Sequence, residues 1–126
     1  MKFQVFVVDD DRHYSRLLSY RLSKNPDYDV QTFNSGEDAL AHLEDNPDLV
    51  LLDLLLPDIS GWEVLRWVRA RRDAIALPVL IITAYGGDGD ELKAYEYGAN
   101  GFMPKPFDPP VLRDTVTEML GGCPAV

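Results

Sequence analysis

The sequence predicts an α/β fold: a doubly wound sheet of five parallel strands, in the order 2-1-3-4-5, between two layers of helices. Three observations lead there. Apolar runs of strand length alternate five times with stretches of helical period. Three of the runs, residues 5–8, 49–52 and 79–82, are apolar at every position, the mark of parallel strands covered by helices on both faces. The 126 residues, 46% apolar and 26% charged, have the size and composition of one globular domain with one real core. Right-handed crossovers leave few topologies for five such repeats, and 2-1-3-4-5 is a common doubly wound one.

Each element has its own signature. The first strand, Val5-Phe6-Val7-Val8, ends in Asp9-Asp10-Asp11. Residues 12–24 place Tyr14, Leu17, Leu18 and Leu22 on one helical face before Asn25-Pro26 stops the helix. Residues 28–33 are more polar and suit an edge strand. Ser35-Gly36-Glu37-Asp38 opens a helix with Ala39, Leu40 and Leu43 inward, and Asn46-Pro47 ends it. The second solid run closes on Asp53, and residues 61–70 then carry Trp62, Val64, Leu65 and Val68 at helical spacing. The third solid run closes on Thr83. Gly86, Gly87 and Gly89 lead into a short helix over residues 90–97, whose apolar face is thin (Leu92, Tyr95). Loose segments of this kind are where switch elements are found. Gly98 suits the left-handed cap beyond it. Gly101-Phe102-Met103 forms a brief strand, and Leu112, Val116, Met119 and Leu120 mark a last helix, stopped by Gly121-Gly122. The domain is expected over residues 1–120, with 121–126 a tail or the start of a linker.

Composition removes several classes of function. Twelve Lys and Arg against 21 Asp and Glu give a formal charge of −9, which argues against a nucleic-acid grip built on phosphate neutralisation. It suits a protein that holds cations or docks on basic surfaces. The one cysteine, Cys123, rules out an internal disulfide. The longest nearly apolar stretch, residues 74–85, contains Pro78 and falls short of the roughly 18–20 residues that span a membrane. Residues 1–8 are interrupted by Gln4 and closed by aspartates, unlike a signal peptide. A cytoplasmic location without membrane contact is expected.

Open parallel sheets bind ligands beyond the carboxyl ends of their strands, at the switch point between strands 1 and 3. This sequence delivers Asp9 and Asp10 there after strand 1, Asp53 after strand 3, Thr83 after strand 4 and Lys105 after strand 5. Two carboxylates roughly 4 Å apart repel by about 4 kcal/mol near a protein surface, so protons or a cation must relieve the group. Hard oxygen donors favour Mg²⁺, with Mn²⁺ or Ca²⁺ as substitutes, over Zn²⁺. His13 and His42 are not read as ligands, and Asp11 and Asp58 are read as helix-cap or turn residues. A phosphoryl group on one carboxylate would find a cation, the Lys105 ammonium and the Thr83 hydroxyl ready for its oxygens.

The runs Val7-Val8-Asp9-Asp10-Asp11, Leu51-Leu52-Asp53-Leu54-Leu55-Leu56-Pro57, Ile81-Ile82-Thr83-Ala84 and Gly98-Ala99-Asn100-Gly101-Phe102-Met103-Pro104-Lys105-Pro106-Phe107 carry a family resemblance. From about residue 2 to 120 the chain resembles the receiver domains of two-component response regulators. The resemblance implies a flavodoxin-like three-layer sandwich and a role for each residue. Asp53 would be the phosphoacceptor, taking its phosphoryl group from a phosphohistidine on a sensor histidine kinase or histidine phosphotransfer protein. Asp10 would bind Mg²⁺ directly and Asp9 mostly through water, with Asp53 and the backbone carbonyl of Leu55 completing the protein's share. Thr83 and Lys105 would bind the phosphoryl oxygens. The Lys105–Pro106 bond is expected to be cis. Thr83 and Phe102 occupy the switch positions, and Phe102 lacks the hydroxyl of the common tyrosine. Leu55 and Tyr85 stand where hydrolysis is tuned, and neither orients water, so slow autodephosphorylation is expected. Receivers often dimerise through the face of the fourth helix, fifth strand and fifth helix, which makes a homodimer there the assembly that the resemblance allows.

The resulting expectation is a phosphorylation-activated switch that catalyses only its own phosphorylation and dephosphorylation, not turnover of a separate substrate. The rival is a phosphorylation-independent pseudo-receiver acting as an interaction module, disfavoured because the reactive set is intact. A dehalogenase-type phosphatase needs a second aspartate where Leu55 stands, and an FMN binder needs a phosphate loop where three aspartates stand.

Overall fold

The computed structural model describes residues 2–84 and 89–121. Five parallel strands, β1 (Phe3–Val8), β2 (Tyr28–Phe33), β3 (Leu49–Leu52), β4 (Val79–Thr83) and β5 (Gly101–Pro104), form one sheet in the order β2-β1-β3-β4-β5. The helices are α1 (Arg12–Ser23), α2 (Gly36–Ala41), α3 (Gly61–Arg71), α4 (Asp90–Glu96) and α5 (Pro109–Met119). This is the expected doubly wound, flavodoxin-like sandwich. Among the described residues, no helix is long and apolar enough to cross a membrane.

Strand periodicity splits the apolar residues into two cores. Val5, Val7, Leu49, Leu51, Leu80 and Ile82 face one side and pack with Leu18 and Leu22 of α1 and Leu112 and Val116 of α5. Phe6, Val8, Val50, Leu52, Val79 and Ile81 face the other, with Ala39, Val64, Leu65, Val68 and Ala94 from α2, α3 and α4. Successive strand side chains alternate between faces, so a strand covered on both must be apolar throughout. The edge strand β2 is mostly exposed or half-buried, as its polar sequence requires.

Local chemistry fixes the helix starts. Asp11 accepts the backbone N–H groups of His13 and Tyr14, capping α1. Ser35 and Ser60 cap α2 and α3 through the N–H groups of Asp38 and Glu63. Asp58 caps from a distance, accepting the N–H of Gly36 at 3.0 Å and of Glu37 at 2.8 Å. It ties the loop after β3 to the start of α2. Arg69 of α3 donates to the carbonyls of Gly98 and Leu77, each at 2.7 Å, and to Asn100 Oδ1 at 2.8 Å. That fork anchors α3 to the ends of α4 and the approach to β4.

Two details differ from the sequence reading. Helix α2 ends at Ala41 and passes into a 3₁₀ turn, Leu43–Asp45, closed by Asn46 with φ 58°. The thin face of α4 is not Leu92 and Tyr95, which are 63% and 46% exposed. Ala94 is the buried residue of that two-turn helix. A small side chain lets the backbone approach the sheet, and the larger residues are left at the surface. Tyr85, Gly86, Gly87, Gly122 and Cys123 lie outside the described residues.

Candidate functional site

At the carboxyl ends of β1, β3 and β5, Lys105 bridges two buried carboxylates. Its Nζ lies 2.7 Å from Asp9 Oδ2 and 2.8 Å from Asp53 Oδ2. The three side chains are 7%, 3% and 6% exposed. Asp10 is exposed beside them, and one carboxylate oxygen from each of Asp9, Asp10 and Asp53 lies within 4.8 Å of the others. Three carboxylates against one ammonium formally leave two negative charges uncompensated. The donors are all hard oxygens, a set that fits Mg²⁺.

Neighbouring strands bring these residues together. Val8 of β1 is in register with Leu52 of β3, so Asp9 and Asp53 leave the sheet side by side. Asp53 N donates to the Val8 carbonyl at 2.9 Å. Asp53 Oδ1 accepts from Leu55 N at 3.2 Å, which holds the carboxylate against its own loop. Leu55 keeps its side chain 54% exposed. Gly61 explains how that loop can turn so tightly: a Cβ there would collide with the Asp53 carbonyl and stand 2.6 Å from Leu54 Cα. Thr83 is buried at the end of β4, and its carbonyl accepts the N–H of Lys105 at 3.0 Å. The Lys105–Pro106 peptide is cis, as expected. Phe102 is half-buried on β5 against the α2–α3–α4 core.

Burial and pairing act against each other here. Burial raises the pKa of Asp9, and its hydrogen bonds from Lys105 and the Asp11 N–H do not fully offset this. For Lys105 burial alone would lower the pKa, but hydrogen bonds to Asp53 and Asp9 prevail and raise it. Lys105 therefore keeps its charge across the ordinary pH range. Its ammonium also sits 4.4 Å from the ring centroid of Tyr14, a cation–π contact that closes the α1 side.

Several supporting residues escaped the sequence reading. Ser15 is buried and donates to the Asp9 carbonyl at 2.9 Å, and Asn34 Nδ2 donates to the same oxygen at 3.0 Å. The visible signal for Ser15 was its place on the apolar stripe of α1, three and seven residues before Leu18 and Leu22. A buried hydroxyl there needs a partner. Trp62 stacks edge-on with Tyr97 at 5.5 Å, with Lys93 over its ring. His42 is exposed.

Residues 5–117 match the family described as the response regulator receiver domain. The chain belongs to that family: it is a receiver domain of the two-component response regulators. Over 95% of its length it is 36% identical to the alkaline phosphatase synthesis transcriptional regulatory protein PhoP of Bacillus subtilis (strain 168), covering 49% of that protein. It is 35% identical over 93% of its length to the phosphate regulon transcriptional regulatory protein PhoB of Rhizobium meliloti (strain 1021), covering 52%. The chain thus spans about half the length of these relatives. Among solved structures, the receiver domain of a LuxO repressor protein from Vibrio parahaemolyticus superposes with a TM-score of 0.89 at 30% identity, over 96% of this chain and 92% of that one. The BeF3-activated DrrB receiver domain superposes with a TM-score of 0.87 at 35% identity, over 96% and 99%.

Proposed function

We propose that this receiver is a phosphorylation-activated switch whose acceptor is Asp53, loaded from a phosphohistidine on a sensor histidine kinase or histidine phosphotransfer protein. The observation that carries the reading is the single ammonium of Lys105 shared by the buried Asp9 and Asp53. A carboxylate held beside a fixed cation can accept a phosphoryl group and have the new charge met at once.

In the transfer, an Asp53 carboxylate oxygen attacks phosphorus in line with the bond to the donor imidazole. The P–N bond breaks, its electron pair leaves with the ring nitrogen, and that nitrogen takes a proton from solvent. Lys105 passes its hydrogen bond from Asp53 to a phosphoryl oxygen, and the Thr83 hydroxyl serves another. Asp9, Asp10, Asp53 and the Leu55 carbonyl would hold Mg²⁺, which when bound offsets charge between acceptor and phosphoryl oxygens. Phe102 can report the change only by repacking. The domain catalyses its own phosphorylation and the hydrolysis of its own aspartyl phosphate, with no separate substrate. Its setting is the cytoplasm. A homodimer uses the face of α4, β5 and α5, where Leu92, Tyr95 and Val111 are exposed.

The test is incubation with acetyl phosphate and Mg²⁺, followed by intact mass. One added phosphoryl group, absent in Asp53→Asn and absent without Mg²⁺, is expected. A folded wild-type protein that gains nothing would instead be a phosphorylation-independent interaction module.

A further inference from the structure

The groove between α1 and β2 lies at the sheet's edge, and Lys105 does not line it. Its volume is about 600 Å³, and it is lined by Arg12, Arg16, Lys24, Thr32 and Asn34, with Ser15, Ser19, Ser23 and Tyr20 between them. No carboxylate lines it, in a chain of net charge −9. Residues 12–24 contain four of the chain's twelve cationic residues and no acid.

Arg12 and Arg16 are four residues apart and so share a helix face, where like charges repel. Among the described residues neither makes an ion pair. Five other arginines are occupied, Arg69 on backbone carbonyls, Arg66 on Glu63, Arg113 on Asp114, Arg71 over Trp67 and Arg72 on the Leu43 carbonyl, while Arg21 lies outside the groove. Two free guanidiniums, the Lys24 ammonium, which also lies 4.9 Å from the Tyr20 ring centroid, and several hydroxyls line one recess that holds no anionic group. Guanidinium forks suit phosphate oxygens in particular.

We propose that this groove binds a small anion carrying two or more linked phosphates, either an inorganic polyphosphate or a nucleoside di- or triphosphate. The site does not include Asp53 and does not depend on its phosphorylation. It is nonetheless wired to the acidic centre. Ser15 and Asn34 belong to the groove, and both donate to the Asp9 carbonyl, at 2.9 and 3.0 Å. An anion that reorients either side chain therefore acts on the backbone of a residue in the cation cluster.

The experiment is calorimetric titration of the whole chain with pyrophosphate and, separately, ADP, in EDTA so that no divalent cation bridges the anion to the carboxylates. Amide chemical shifts are recorded alongside. Saturable binding of at least one anion is expected, weakening as salt is raised, with shifts confined to residues 12–24, 32–34 and Asp9. The double variant Arg12→Gln/Arg16→Gln should bind roughly tenfold or more weakly, while Lys93→Gln binds as wild type. Tighter binding of ADP than of pyrophosphate assigns the exposed Tyr20 a role in holding the nucleoside; equal binding assigns the inorganic source. The proposal is overturned by three results: no saturation with either anion up to about ten millimolar, shifts centred on Thr83 and Lys105, or full affinity in the double variant. The shift map on wild-type protein stands even if the variant folds poorly. A basic α1 face that serves only to meet an acidic protein surface would give the first of these results.

Discussion

Lys105 is the residue on which the acidic centre turns. Its removal leaves Asp9 and Asp53 buried without the cation that compensates them, and breaking a buried pair from one side costs about 3–5 kcal/mol. Lys105→Met should therefore lower the unfolding free energy at pH 7 by several kcal/mol in denaturant titrations without divalent ions. A loss within experimental error would mean that the carboxylates are solvated in the folded protein. Leu55 bears on signal lifetime. An exposed apolar side chain two residues after Asp53 has no group to orient an attacking water, so Leu55→Asn should speed decay of the phosphorylated protein. Equal or slower decay in that variant would remove Leu55 from the account. The sequence made the reactive atoms of the site visible because each follows a strand, and strand ends are shared ground in a parallel sheet. It hid Ser15, Asn34 and Tyr14, whose roles depend on packing of α1 against the first two strands.

At the scale of elements, the clearest contribution comes from Asp58, which caps a helix it does not precede. Burial is the largest single influence and would raise its pKa, but hydrogen bonds from the N–H groups of Glu37, Ile59 and Gly36 together prevail and lower it. A carboxylate with a depressed folded pKa stabilises the fold above the ordinary value of 3.8, and that contribution is lost as pH falls through the folded pKa. Asp58→Ala should thus lower the melting temperature at pH 7, with the gap to wild type closing as the pH drops below 3.8. A gap independent of pH would assign the loss to loop packing. The strands were legible because residues apolar on both faces leave one arrangement open. The α4 face was not, since periodicity cannot weigh Leu92 and Tyr95 against Ala94 when seven residues offer barely two turns. The capping partner of α2 was equally invisible: it lies 21 and 22 residues away in sequence.

Across the whole molecule, the two cores share one sheet whose strand ends carry the acidic centre, so both helix layers pack on the strands that hold it. A switch that moves from 1:99 to 99:1 needs about 5.5 kcal/mol of differential stabilisation. Two or three charge-assisted hydrogen bonds, at roughly 1.5–3 kcal/mol each, supply that. The α3–α4 seam offers a reporter, because Trp62 packs against Tyr97 and Lys93. In a Trp67→Phe background, Mg²⁺ with beryllofluoride should change Trp62 emission. Unchanged emission with the ligand demonstrably bound would mean that α4 does not take part in switching.

The most direct measurement is borohydride reduction after treatment with acetyl phosphate and Mg²⁺, followed by peptide mass mapping. An aspartyl phosphate is reduced to homoserine, which marks its position. Conversion at Asp53 alone is the predicted result. Conversion at Asp9 or Asp10, or none in folded protein, would contradict the assignment of the acceptor.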